Sequence, residues 1–472
     1  MVPEASGYDG VVEVRAPFDG EIIATLDAAD TDVVENALAT AHRLFRDRSR
    51  WLSKHARIEI LSRAAEIMQQ QAPVLARLAA QEGGKPLADS RVEVARAIDG
   101  VRSCVECLRT HAGREIPMGL SADSAGRRAF THHEPIGPVV AISAFNHPLN
   151  LIVHQVAPAI AAGNPVIVKP AEDTPLSCYR FVQILQEAGL PQGWCQALVV
   201  RDVNLATQLV TDPRVAFLSF IGSSKVGWML RSKLSAGTRC ALEHGGAAPV
   251  VVDSDADIDD AIPLLTKGGF YHAGQVCVSV QRIFCHEDIA DDVAARLAYV
   301  AEHLHVGDPL FETTDVGPLI RPREVNRVHD WVLEARRAGA QVLTGGNTLA
   351  DSCYSPTVLF NPPDHTSVSR REIFGPVVCV YACSDMEDAI RRANSLPYAF
   401  QASVFTRNLD FALDASAKLA ASAVMVNDHT AFRTDWMPFA GLRESGLGTG
   451  GIPYTFRDMQ VEKMTVLRSS GL

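Results

Sequence analysis

The segment that decides the fold runs from Pro138 to Ser224. Its apolar runs are Val139-Val140-Ala141-Ile142-Ser143, Val166-Ile167-Val168, Ala197-Leu198-Val199-Val200 and Val215-Ala216-Phe217-Leu218-Ser219-Phe220. Between them lie stretches with helical periodicity, over 148–162, 175–188 and 203–210, and another helix is predicted to open at Ser224. Short apolar runs alternating with helices across brief connections form βαβ units. Such units build a parallel sheet with helices on both faces. The pattern predicts a doubly wound α/β domain of the nucleotide-binding type.

Towards the N-terminus, residues 11–15 and 21–26 flank the turn Pro17-Phe18-Asp19-Gly20 and read as a hairpin. A helix is predicted from Asp32, with Asp32 as N-cap and Glu35 closing a capping box. Helical periodicity returns over 58–71 and 92–110. Towards the C-terminus a second α/β block starts near Pro249. It has predicted strands at 249–252, 280–285, 377–381, 402–405 and 423–427, and helices at 257–271, 287–305 and 323–338. The tail, 460–467, reads as an extended edge strand, ready to pair with another chain.

Composition agrees with a large globular protein. The chain has 472 residues, 47% hydrophobic and 21% charged, which suggests about three domains or two large ones. Lys and Arg number 44 against 55 Asp and Glu, a formal charge of −11. That balance argues against a nucleic-acid partner. The ten cysteines are irregularly spaced, and Met1-Val2-Pro3-Glu4-Ala5-Ser6-Gly7 lacks the basic-then-apolar pattern of a secretory leader. A cytoplasmic protein with reduced thiols is expected. Cys104-x-x-Cys107 falls on a predicted helix with no second pair, so no metal site is expected. No apolar run reaches the roughly 18 residues of a membrane span, so no membrane partner is expected.

Several residues can carry chemistry. Cys277 follows Gly274-Gln275-Val276, where a helix breaks; a thiol beside free backbone N–H groups can act as a nucleophile that builds an oxyanion. Read alone, it is as readily a small buried apolar side chain. Glu243 ends an apolar run ahead of His244-Gly245-Gly246, where it can serve as a general base or simply close a strand. Asn146 follows the first strand of the parallel series, the end where such sheets bind ligands; the alternative is an Asn opening the next helix. Lys169 and Glu172 follow the next strand, placed to hold ribose hydroxyls or to pair with each other in solvent. Gly222-Ser223 open a helix and can offer backbone amides and a hydroxyl to a phosphate, although the stretch is neither GxGxxG nor a P-loop.

Taken in order, these segments resemble the aldehyde dehydrogenase superfamily of non-phosphorylating, NAD(P)-dependent enzymes, over roughly residues 11–466. The resemblance is carried by Phe145-Asn146-His147-Pro148-Leu149, Lys169-Pro170-Ala171-Glu172-Asp173-Thr174-Pro175, Gly222-Ser223 with Gly227, and Leu242-Glu243-His244-Gly245-Gly246. It continues in Gly274-Gln275-Val276-Cys277, Glu372-Ile373-Phe374-Gly375-Pro376, and Pro438-Phe439-Ala440-Gly441 with Ser445-Gly446.

The resemblance implies two doubly wound α/β domains and a small β oligomerisation element. The Rossmann-like cofactor domain would span 1–113 and 133–242, the catalytic domain 243–445, and the bridging element 114–132 and 446–472. The exposed strand edge of that element implies a homodimer or homotetramer. Cys277 would attack an aldehyde to give a thiohemiacetal, and Asn146 with the Cys277 N–H would hold the oxyanion. Hydride transfer to nicotinamide would leave a thioester, hydrolysed by water that Glu243 activates. Lys169 and Glu172 would bind the adenosine ribose, Gly222 and Ser223 the pyrophosphate, and Glu372 the nicotinamide ribose, with Gly245 and Phe374 beside it. Glu172 would accept a 2′-hydroxyl and repel a 2′-phosphate, so NAD is expected over NADP.

The chain departs from the family pattern at His147, His154, Gln155, His244 and Ala440. His147, helped by Arg102, would favour a small polar or anionic aldehyde, resembling the lactaldehyde, phosphonoacetaldehyde and succinate-semialdehyde branches; a structural histidine is the other reading. Three further functions stay open at this point: a CoA-acylating enzyme of the same superfamily, a cofactor-independent cysteine hydrolase, and a non-catalytic scaffold.

Overall fold

A computed structural model describes Val2, residues 8–350 and residues 352–471. The leader reading at the N-terminus falls largely on residues outside that set. Strands β1 (Tyr8–Arg15) and β2 (Ile22–Ala29) pair antiparallel, and Asp19 Oδ1 accepts from the Glu21 N–H at 2.9 Å to close their turn. Helix α1 (Thr31–Arg46) starts earlier than predicted. Its N-cap is Asp30, whose Oδ1 accepts from the Val33 N–H at 2.9 Å. Glu35 closes no capping box; it forms a fork with Arg214 at 2.6 and 2.7 Å. The aspartate that meets the orphan N–H groups starts the helix, and Asp32 is left in its first turn.

Helices α2 (Lys54–Gln70), α3 (Ala72–Gly83) and α4 (Leu87–Thr110) follow. The sequence reading had no α3. Its twelve residues meet α2 at Gln71, so the two run together in a periodicity search, and Gly84 in the left-handed region (φ 70°) closes it. Next come β3 (Glu115–Ile116), β4 (Arg127–Pro135) and the predicted alternation: β5 (Val139–Ile142), α5 (Asn150–Ala162), β6 (Val166–Lys169), α6 (Leu176–Glu187), β7 (Cys195–Ala197), α7 (Val203–Thr211), β8 (Phe217–Ile221), α8 (Ser224–Arg231) and β9 (Arg239–Glu243).

The strand order β9-β8-β5-β6-β7 is parallel throughout, with Gly446–Leu447 added antiparallel outside β9. Alternate residues serve opposite faces, as the two-residue period requires. Val139 and Ala141 pack under α4 and α5, while Val140 joins the core under α1 and α7. The chain reverses direction across the sheet between β5 and β8, which opens a crevice at their carboxyl ends.

The second half forms a seven-stranded sheet. Pro249–Val252 and Arg282–His286 lie at its centre. Its other strands are Gln401–Phe405, Ala423–Val426, Val377–Cys383, Thr357–Phe360 and the antiparallel edge Gln341–Thr344. Three strands make a third sheet, where Gln460–Arg468 runs antiparallel to β4 and β3 flanks the other side. β4 continues to Pro135, and Ile452, Phe456 and Met459 of the C-terminal segment pack into the core of the first domain before the chain crosses to β4. Among the described residues no helix is long and apolar enough to cross a membrane, and no group of His, Cys, Asp and Glu is arranged to hold a metal.

Candidate active site

The loops at the carboxyl ends of β5, β8 and β9 face the second sheet across a cavity of about 730 Å³. Asn146, Glu243 and Cys277 all line it. Cys277 reaches it by a forced path. After the helix Ile258–Phe270, His272 (φ 48°), Ala273 (φ 54°) and Gly274 (φ 69°) all take left-handed backbone. A Cβ at Gly274 would collide with the Gly375 carbonyl, so only glycine fits there. Gln275 then pins the loop: its Oε1 accepts from the Ile320 N–H at 3.0 Å, and its Nε2 donates to the Pro318 carbonyl at 3.3 Å. The buried Asn146 amide donates to the Gln275 carbonyl at 2.9 Å, tying the loop after β5 to the cysteine loop.

Burial pushes the Cys277 thiol up to about 12, with Glu372 and Glu243 adding to the effect and Arg433 opposing it. The sulfur is therefore a thiol at neutral pH and needs a base to become nucleophilic. Burial also raises the Glu243 carboxyl, against the pull of Arg433. Glu243 ends β9 with its carboxylate set against Gly450, where any Cβ would collide with it. A thiol, an amide donor and a basic carboxylate thus share one cavity, the set needed for acyl chemistry on sulfur.

On another wall, Gly222 and Ser223 join β8 to α8, and Ser223 leaves the α8 N-terminus without a side-chain cap. The free N–H groups of such a helix start suit a phosphate. Glu372 Oε1 accepts from the Gly246 N–H at 3.1 Å, and burial pushes this carboxyl up to about 8. A Cβ on Gly245 would occupy the space of that carboxylate. Phe374 (φ 49°) meets Phe145 edge to face, centroids 5.8 Å apart. Lys169 and Glu172 do not line the cavity themselves. They pair at 3.7 Å, while Ala171 and Asp173 on either side of Glu172 do line it. Glycine-cleared walls, an uncapped helix start and acceptor carboxylates fit a nicotinamide dinucleotide.

Three of the departures from the family pattern, His244, Gln155 and His154, have structural explanations. His244 Nδ1 lies 3.1 Å from the Gly222 carbonyl, and its ring covers Gly227, where a Cβ would strike it. Gln155 Nε2 donates to the Ile142 and Ser219 carbonyls, both at 3.0 Å, so it stitches β5 to β8. His154 Nε2 sits 2.7 Å from Asp435 Oδ1, and burial lowers its pKa to about 4. The neutral ring donates from Nε2, leaving Nδ1 to accept from Arg433 Nη2 at 3.4 Å.

Arg102 requires correction. It is exposed on α4, its guanidinium reaches Gln69 at 3.4 Å, and it is absent from the cavity wall. The wall carries five arginines: Arg321, Arg323 and Arg327 are paired with Asp173 and Glu324, and the other two are Arg96 and Arg433. Six residues of helix turn Arg102 about 120° away from Arg96, so only one of them can face inward. Arg96 grips Asp435 with two bonds, 2.9 and 3.1 Å, and Arg433 lies 3.5 Å over the Phe439 ring. Burial acts to raise the Asp435 carboxyl, but His154 and Arg96 hold it well below the usual range. His147 does line the cavity, with Nε2 3.2 Å from the Tyr271 hydroxyl. Burial holds its pKa well below the ordinary value, so it contributes a neutral ring and not a charge. Sequence reasoning missed Arg96, Arg433 and Asp435. The one available signal was Arg433-Thr434-Asp435 standing just before Pro438-Phe439-Ala440-Gly441.

A doubly wound domain whose switch point faces a half-buried cysteine across one cavity is the arrangement of a nucleotide-dependent oxidoreductase. A model of the aldehyde dehydrogenase family matches residues 4–465. A 3-sulfolactaldehyde dehydrogenase of Priestia aryabhattai is 37% identical over 458 residues, 97% of this chain and 94% of that one. Among solved structures, an aldehyde dehydrogenase of Physcomitrella patens in complex with the reaction product succinate superposes with a TM-score of 0.94 at 33% identity, covering 99% of this chain and 97% of that one. A glyceraldehyde-3-phosphate dehydrogenase of Methanocaldococcus jannaschii complexed with NADP gives 0.93 at 33% identity, covering 98% and 100%. The chain belongs to the aldehyde dehydrogenase family, and it is an NAD(P)-dependent enzyme of that family.

Proposed function

We propose that the protein oxidises a small aldehyde bearing a negatively charged group to its carboxylic acid, with NAD as the preferred cofactor. The carrying observation is that Arg433 lines the cavity with its buried Nε unpartnered and no ion pair to a carboxylate among the described residues, next to Arg96, whose charge Asp435 balances. Glu93, next to Arg96 on α4, does not change this balance, because Lys85 neutralises it. A sulfonate or carboxylate on the substrate would be met by donors in fork geometry. The substrates and product in the names of the three relatives, 3-sulfolactaldehyde, succinate and glyceraldehyde 3-phosphate, are all anionic.

In the mechanism, Glu243 draws the proton from the Cys277 thiol and the sulfur bonds to the aldehyde carbon. The thiohemiacetal oxyanion is held by Asn146 Nδ2–H and the Cys277 backbone N–H. A bound nicotinamide dinucleotide supplies the acceptor for the hydride that leaves this carbon. Cys277 is then a thioester. Glu243, having passed its first proton to solvent, takes a proton from water, the hydroxide adds to the thioester carbon and displaces the sulfur, and the acid departs as Glu243 returns that second proton to Cys277. Glu372 would accept ribose hydroxyl protons, with Gly222 and Ser223 at the phosphates. Glu172, half-exposed beside Lys169, supports NAD over NADP by accepting a 2′-hydroxyl and repelling a 2′-phosphate. The basic Glu243 also favours water over CoA as acyl acceptor.

A panel of aldehydes of equal length, ending in sulfonate, carboxylate or methyl, tests the reading by nicotinamide reduction. The charged members should be turned over with kcat/KM at least about tenfold above the methyl member, the scale of one charge-assisted contact. Equal values would refute the charged substrate, and faster turnover with NADP would refute the cofactor preference.

A further inference from the structure

Helices α5 and α6 each begin directly after a loop of the site, and neither has a side-chain cap of its own. The loop before α5 carries Asn146 and His147, and the loop before α6 carries Ala171, Glu172 and Asp173. Both helix starts are held from the same place, the hairpin of α3 and α4. Glu82, near the end of α3, is wholly buried. Its Oε2 accepts from the Leu176 N–H at 2.7 Å and its Oε1 from the Ser177 N–H at 2.8 Å. Glu93, on α4 and equally buried, uses Oε1 to accept from the Leu149 N–H at 2.9 Å and the Asn150 N–H at 3.0 Å. Its Oε2 pairs with the buried Lys85 of the connection between α3 and α4.

Buried carboxylates are costly, and these two are placed where helix N-termini repay the cost most fully. Neither lines the cavity. Each therefore acts through the loop that its helix start anchors. We propose that Glu82 and Glu93 are positioning residues with separate duties: Glu93 sets the loop bearing the oxyanion donor Asn146, and Glu82 sets the 170–175 loop against the dinucleotide. The second duty rests on the cofactor assignment proposed above.

Two readouts separate the duties. Hydrolysis of p-nitrophenyl acetate without dinucleotide needs Cys277 and the oxyanion donors but no hydride acceptor: sulfur takes the acetyl group, nitrophenolate leaves, and water releases acetate. Dinucleotide affinity is read by calorimetry. Lys85→Met/Glu93→Ala removes the fork without stranding a buried cation, and Lys85→Met/Glu93→Gln keeps an amide oxygen for both N–H groups. The alanine form should lose about 100-fold in ester hydrolysis, the scale of a misplaced catalytic group. The glutamine form should recover to within about threefold, and both should bind the dinucleotide within about twofold of wild type, less than one lost hydrogen bond. Glu82→Gln places an NH₂ against one of its two N–H partners and should raise the dinucleotide Kd about tenfold, the scale of one charged hydrogen bond. Its ester hydrolysis should stay within about twofold of wild type.

Equal ester hydrolysis in the alanine and glutamine forms would overturn the role of Glu93. A wild-type Kd in Glu82→Gln would overturn that of Glu82. Parallel loss of both readouts in every variant, or failure of the alanine form to fold, would make both forks merely structural and overturn the proposal. Wild-type protein that binds no dinucleotide at all would instead refute the cofactor assignment.

Discussion

The two ends of the cavity offer a ligand different unpaired groups. One end presents acceptors, with the half-buried Glu372 on its wall and Glu172 at its edge and with Arg321, Arg323 and Arg327 already paired to Asp173 and Glu324, and the other presents the donors Arg96 and Arg433. Cys277 and Glu243 lie between them. The acceptor end suits hydroxyl-rich ribose, and the donor end suits an anion. The contrast extends to how the charges are held. Glu372 receives one backbone N–H and sits high at about 8, whereas Asp435 receives Arg96, Asn150 and His154 and is held low. A carboxylate short of partners is ready for a ligand's hydrogens. A saturated one is a fixed strut for the arginines.

The largest effect should come from the middle of the cavity. Cys277→Ala should lower aldehyde oxidation by at least about 10⁴-fold, the scale of a lost covalent route, while dinucleotide titration stays unchanged. Residual oxidation near the wild-type rate would remove sulfur from the mechanism. At the donor end, Arg433→Met should lower kcat/KM for a sulfonate or carboxylate aldehyde by about 100-fold, the scale of a truncated buried charge contact, and change the methyl-ended analogue by only a few-fold. Equal losses for both would show that Arg433 supports packing and not charge recognition.

At the acceptor end the prediction concerns pH. With Glu372 held up to about 8 by burial, the carboxyl is mostly protonated at pH 7. A ligand that donates hydroxyl hydrogens prefers the ionised form, so dinucleotide affinity should rise by roughly tenfold between pH 7 and 9, the limit set by one titrating group over that window. In Glu372→Gln the slope should vanish. The sign for stability is opposite. The folded protein keeps this proton above the ordinary value of 4.5, so the group's contribution to stability falls as pH rises from there to about 8. The smallest effect should be that of Arg102→Ala, within about 0.5 kcal/mol in stability and about twofold in kcat/KM for every aldehyde, because the side chain is exposed. A charge-selective loss there would reinstate Arg102 in the site.

The parts of the site legible in the sequence are those in which a short stretch carries its own geometry. Asn146, Gly222 and Glu243 stand at or just after strand ends, and Cys277 follows a glycine that no other residue can replace. Strand and helix periodicity placed the alternation of the first domain to within a few residues. Helix starts were read less well: the sequence points to Asp32 as the N-cap of α1, and the Val33 N–H is met by Asp30. Helix α3 merged into its neighbour for want of a clear break before Pro73.

The amino-acid sequence alone determined the doubly wound alternation, the family, and the trio Asn146, Glu243 and Cys277, because each depends on periodicity or on a motif a few residues long. Only the tertiary structure decided that Arg96 and not Arg102 faces the cavity, and that it meets an aspartate 339 positions away. Helical phase and the approach of distant loops are set by the packing of whole elements, and no local stretch of chain records that.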